Sequence, residues 1–157
     1  MNSGPEGAAP RIFEDVLANF AFLFGETRGA DELPGLEGRA CLACLPFRGP
    51  SAGCIAVGVP EGLALEIAAN TLGVEPSDPG VPLHARDALK EVASVMGGHF
   101  ASAMEASGTP VTLFPPQLFT LSAEDWDRLR TDPATHCFAV DRFPVLLCVG
   151  PKPGVLR

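Results

Sequence analysis

Asp87, Glu91, Ser94 and Gly98 recur at helical spacing in the middle of the chain. At about 100° per residue they share one face, while Leu89, Val92, Met96, Phe100 and Met104 share the opposite one. Acids on a helix are usually a solvated face and nothing more. Two features set this row apart. Ser94 lies one turn from Glu91, so a carboxylate and a hydroxyl can reach one target. Gly98 sits on the polar side, where glycine gives its own helix nothing but leaves a partner room.

Other residue types with chemical potential lack companions. Cys41 and Cys44 have the spacing of a zinc half-site, but no second CxxC and no HxxxH pattern follows. Within a strand, residues three apart also point to opposite faces. All five cysteines, Cys41, Cys44, Cys54, Cys137 and Cys148, lie in apolar, strand-like stretches and are read as core thiols. Their odd number argues against a disulfide framework. His84, His99 and His136 have no carboxylate or cysteine at nucleophile-pairing spacing. No glycine run resembles a P-loop or a dinucleotide fingerprint, and Ser51 in GPSAG lacks the G-x-S-x-G pattern. Neither a metal nor a cofactor is expected in this chain.

The 157 residues suit one domain with a proper core. At 46% hydrophobic and 19% charged the chain is globular. A net charge of −8 disfavours nucleic acid and anionic membrane surfaces. With no Tyr and one Trp, a base-stacking platform is not expected either. No apolar run approaches the roughly 20 residues of a membrane span. The opening MNSGPEGAAP has no lysine, arginine or apolar core, unlike a signal peptide. A cytoplasmic location follows by default.

The elements that must position the row read as follows. A helix over residues 11–24 carries Ile12, Val16, Phe20 and Leu23, with Gly25 as its stop. Residues 26–38 are a polar connection. Strands at 39–47 and 52–59 form a hairpin, and the small face of the second (Cys54, Ala56, Gly58) invites close approach by another element. Pro60 opens a second helix buried through Leu63, Ile67 and Leu72, and Gly73 ends it. After a linker, the central helix runs over 82–107 with Gly108 as C′, and Gly97-Gly98 is a place to kink it. Residues 111–121 make an edge strand, or two half-strands around Pro115-Pro116. Ser122, with Asp125, caps a short helix through Arg130, docked by Trp126 and Leu129. A hairpin at 135–140 and 143–149 closes the chain, and its last strand, apolar on both faces, belongs in the middle of the sheet. Residues 1–9 read as a loose arm, 10–150 as one domain and 151–157 as a tail. The fold class is α+β, a mainly antiparallel sheet with packed helices.

Asp87-xxx-Glu91-xx-Ser94, followed by Gly97-Gly98, resembles the signature helix of the chemotaxis phosphatases CheX and CheC and of the flagellar switch protein FliY. Their pattern is Asp or Ser, three residues, Glu, two residues, Asn, then a small-residue step. The likeness extends over residues 10–149. A strand pair precedes VPEGLALEIAANTLG, then come a linker, the motif helix, SGTPVTLFPPQLF and a terminal hairpin. One motif copy is closer to CheX than to two-site CheC.

The resemblance implies a CheX-like α/β sandwich acting on the phospho-aspartate of a CheY-type response regulator. It implies that Glu91 anchors the regulator near its site lysine, that position 94 orients the attacking water, and that Asp87 and Gly98 meet the partner. Mg²⁺ would belong to the regulator, and a homodimer built by sheet extension is expected. Such in-line transfer needs positioning and charge stabilisation more than covalent help. The departure is Ser94, a single hydroxyl where the family has an amide. A misplacement of about 1 Å can cost on the order of a hundredfold. Asn19, Asn70 and Gln117 lie elsewhere without the motif spacing. Activity that is weak or lost is therefore expected, with a non-catalytic regulator-binding or assembly module as the alternative. A third, unrelated reading is a small-molecule sensor that uses the Phe-rich first helix as a pocket wall.

Overall fold

The computed structural model describes residues 5–156. Its framework is the hairpin of β2 (Ala40–Arg48) and β3 (Ala52–Pro60), paired in the register Ala43↔Val57. Alternation sends Ala43, Leu45, Phe47, Ile55, Val57 and Val59 into one core and Leu42, Cys44, Cys54 and Ala56 into another. β7 (Phe143–Gly150) pairs with β3, and β6 (Thr135–Val140) with β7. β7 is thus central, as its two apolar faces require: Val145 and Leu147 enter the first core, Leu146 the second. With β1 (Gly25–Arg28), β4 (Thr112–Leu113) and β5 (Gln117–Leu121), every pairing is antiparallel, and the seven strands run β1-β6-β7-β3-β2-β4, with β5 also on β2.

Three helices cover the first core. α1 (Ala9–Phe20), α2 (Glu61–Leu72) and α3 (Val81–Ala106) bury Phe13, Leu63, Ile67, Leu89, Val92, Met96 and Phe100 against the sheet. Gly73 (φ 69°) and Gly108 (φ 85°) take the left-handed turns after α2 and α3, as their positions predict. The other face is covered by α4 (Ala123–Arg130), whose Trp126 and Leu129 are buried. Ser122 Oγ accepts from Asp125 N at 3.1 Å, which caps this helix. The small face of β3 meets Trp126: a Cβ at Gly58 would lie 3.4 Å from its ring.

Some expectations are corrected. α1 stops at Phe20, not residue 24. Phe22 turns left-handed (φ 58°) and faces solvent, and Leu23 N donates to Leu17 O at 3.0 Å. This turn launches β1 (Gly25–Arg28), where a connection was expected. A short polar edge strand is held by backbone pairing with β6, which leaves no side-chain period to read. Leu72 is exposed, and Ala64, Ala68 and Ala69 fill the buried side of α2 instead. β4 (Thr112–Leu113) and β5 (Gln117–Leu121) are the two half-strands around Pro115-Pro116, both on β2.

Of the expected arm, residues 1–4 lie outside the described part. Pro5–Ala8 form a 3-10 turn, and Ala9 is fully buried at the start of α1. In the expected tail, Gly154–Leu156 form another such turn, with Val155 and Leu156 packed on the second core, because α4 alone does not cover that face. Among the described residues no helix is long and apolar enough to cross a membrane.

Candidate functional site

α3 is continuous over 26 residues, about 39 Å at the usual helical rise. It runs unbroken through Gly97-Gly98, the pair that could have broken it. The reason lies in the two glycines' surroundings. A Cβ on Gly97 would stand 2.8 Å from Leu45 Cδ2 and 3.3 Å from Cδ1, so the bare backbone lets the helix lie close on β2. A Cβ on Gly98 would meet nothing within 4 Å. The pair costs the helix about 1 kcal/mol per glycine relative to alanine, and only Gly97 has a reason inside the chain.

Leu89, Val92, Met96 and Phe100 are fully or almost fully buried on the inner side. Phe100 packs on Phe47 with ring centroids 5.4 Å apart. Asp87, Glu91, Ser94 and Gly98 are all exposed on the outer side. Among the described residues, no side-chain hydrogen bond or ion pair engages Asp87, Glu91 or Ser94. Two carboxylates and a hydroxyl therefore face solvent with their full bonding capacity, on a rigid helix braced from behind. Such an arrangement can dock a cation and hold a water; it offers no nucleophile–base pair.

The amides that could stand in for a missing Asn are committed elsewhere. Asn19 Nδ2 donates to Asp15 O at 2.9 Å within α1. Asn70 Nδ2 donates to Ala21 O, also at 2.9 Å, which ties the end of α2 to the end of α1. Asn19 does line an open groove of about 450 Å³ between α1 and α3, with Asp15, Phe20, Val95 and His99. The spacing within α1 gave no sign of that groove, because it forms only when the two helices pack. Beneath the first helix, where a sensor would need a deep pocket, Phe13 is fully buried against Phe138, ring centroids 5.4 Å apart.

All five cysteines are free thiols. Cys41 and Cys44 face opposite cores, as strand geometry predicts. Burial pushes the Cys41 and Cys137 thiols up, and Cys148 to about 11, so they are neutral near pH 7. Cys44 and Cys54 share a hydrogen bond that lowers the first and raises the second. His84 and His99 are exposed, and burial holds the His136 imidazole below its usual range. Among the described residues, no group of His, Cys, Asp and Glu is placed to hold a metal ion.

The family model for chemotaxis phosphatase CheX matches residues 41–137, more than half of the chain. No curated protein matches in sequence. Among solved structures, the chain is similar to a CheX chemotaxis protein from Desulfovibrio desulfuricans, at 16% identity and a TM-score of 0.66, covering 92% of this chain and 98% of that one. It is similar to CheX from Vibrio vulnificus at 18% identity, with a TM-score of 0.66 and coverage of 91% and 94%. A CheX–CheY–BeF3–Mg²⁺ complex from Borrelia burgdorferi aligns at 16% identity, with a TM-score of 0.60 and coverage of 93% and 96%. At such identities these likenesses show the fold.

Proposed function

Because the chain belongs to the CheX family of chemotaxis phosphatases, we propose that it binds a CheY-type response regulator through the outer row of α3 and hydrolyses its phospho-aspartate slowly. The observation that carries this is the joint exposure of Glu91 and Ser94 on a braced helix, their side chains without partners among the described residues. A CheX of the same fold in complex with CheY supports the choice of partner.

Each residue has a part. The Glu91 carboxylate accepts from the regulator's site lysine and sets the docking register. Asp87, one turn earlier, adds a second anionic contact, and Gly98 lets the regulator's surface come close. Ser94 Oγ holds the attacking water by one hydrogen bond. The water oxygen bonds to phosphorus as the bond to the aspartyl oxygen breaks, releasing inorganic phosphate and a carboxylate. Mg²⁺ on the regulator neutralises the phosphoryl oxygens. A hydroxyl is shorter than an amide and cannot donate and accept at two separate atoms, so the water is held less firmly than in relatives with Asn.

A second reading keeps the docking and drops the chemistry. It is favoured by the commitment of the Asn19 and Asn70 amides to Asp15 and Ala21, which leaves Ser94 without help. Phosphate release from a phosphorylated regulator with Mg²⁺, measured with and without the protein, separates the two. Faster release supports the enzyme; binding to the beryllofluoride-loaded regulator without faster release supports the binding module. Neither binding nor acceleration overturns both. The same proposal places the protein in the cytoplasm with its regulator. It also includes a homodimer formed at a sheet edge such as β1, whose mass in solution would check it.

A further inference from the structure

Of the eight arginines among the described residues of this acidic chain, four pair with carboxylates. Arg28 pairs with Glu26, Arg128 with Asp125, Arg130 with Asp31 and Asp127, and Arg142 with Glu66. Arg39 and Arg86 have not: neither guanidinium lies within 4.0 Å of a carboxylate oxygen, among the described residues. Yet both line the same cavity, where the chain entering β2, the first turns of α2 and α3, and β5 meet. Nineteen acids were available to neutralise them. The fold brings only Glu61 to the cavity wall.

The lining defines a ligand. Two guanidiniums and one carboxylate sum to a single positive charge, and the half-buried Cys41 thiol in the same wall is held neutral by its partial desolvation. A singly charged anion balances this site, whereas phosphate near −2 overshoots it. Guanidinium forks match the planar geometry of a carboxylate. Thr120 adds a hydroxyl, while Leu65, Leu89 and Leu118 give an apolar wall. The cavity volume of about 170 Å³ is roughly that of five or six waters at about 30 Å³ each. Drug-sized ligands use about 300–1,000 Å³, so the molecule is a short-chain acid or the tip of a longer one.

We propose that this cavity is a seat for a small monocarboxylate, its carboxylate between Arg39 and Arg86 and its alkyl part against Leu65, Leu89 and Leu118. The carboxylate comes either from a free short-chain acid or from an acidic side chain of a docked protein. Arg86 immediately precedes Asp87, so an occupant sits at the start of the outer row of α3.

Titration calorimetry and NMR chemical-shift mapping test this at constant ionic strength, with sodium butanoate, 1-butanol and sodium phosphate as probes. Butanoate is expected to bind at least tenfold more tightly than the other two and to perturb the cavity residues. Arg39→Gln and Arg86→Gln should each weaken it at least tenfold, with the melting temperature of the unliganded protein unchanged because both side chains are exposed. Equal binding by phosphate overturns the monocarboxylate class. Butanoate binding unchanged in both variants overturns the site. A second arm measures a CheY-type receiver against the same variants. If butanoate does not bind but receiver affinity falls tenfold in both, the carboxylate belongs to the protein partner. No effect in either arm overturns the proposal.

Discussion

Gly97 and Gly98 are neighbours on one helix and have opposite surroundings. At Gly97 a single added carbon would run into Leu45; at Gly98 it would meet open space. The same division holds along the whole of α3. Its inner side, from Leu89 to Phe100, is held by the packing of other elements, and its outer side, from Asp87 to Gly98, is exposed and covered by nothing among the described residues. Residues on the first side answer to stability. Those on the second are free to answer to a partner, and on the proposed reading a bare glycine there, at a cost of about 1 kcal/mol, gives room for close approach from outside.

This division can be broken from either side. Phe100→Ala removes a fully buried ring from the Phe47 contact and should cost about 3–5 kcal/mol in urea unfolding. Ser94→Asn, on the outer side, should leave stability within about 0.5 kcal/mol and speed phosphate release from the regulator by up to about a hundredfold. No gain in a folded variant would count against the role given to position 94. Gly97→Leu overpacks the α3–β2 contact and should destabilise by about 1–3 kcal/mol, with a lowered urea midpoint. Glu91→Gln should weaken regulator binding about tenfold, or about 1.4 kcal/mol, without moving the melting curve. Gly98→Ala has the smallest effect and the most telling sign. It should stabilise the fold by about 0.5–1 kcal/mol while lowering regulator affinity. If both quantities rise, Gly98 is not clearance.

Much of the fold was legible because it follows from short-range geometry. The two-faced pattern of α3, the alternation in β2 and β3, the doubly apolar β7 and the capping of α4 by Ser122 each depend on neighbours a few residues away. What escaped was set at longer range. β1 is polar and exists only because β6 offers it an unpaired edge. Phe20 and Leu23 continue the helical period of Ile12 and Val16, but the chain leaves the helix at Ala21, and Phe22 and Phe24 stay in solvent. Leu72 matched the period of α2 and lies where no element covers it. Arg39 and Arg86 belong to different elements and meet only because α2 and α3 pack over the start of β2.

The candidate site divides in the same way. That Asp87, Glu91, Ser94 and Gly98 share one face of a helix is a matter of the angle between successive residues, and the chain carries it wherever the helix lies. Three further facts depend on which surfaces come together. This face remains open. Gly97, and not Gly98, is the glycine the fold needs, because Leu45 of β2 presses against it, while Gly98 faces open space. Asn19 and Asn70, which have the right side chain, donate to backbone carbonyls. Local periodicity places a side chain around its own helix axis; packing alone decides what stands opposite it.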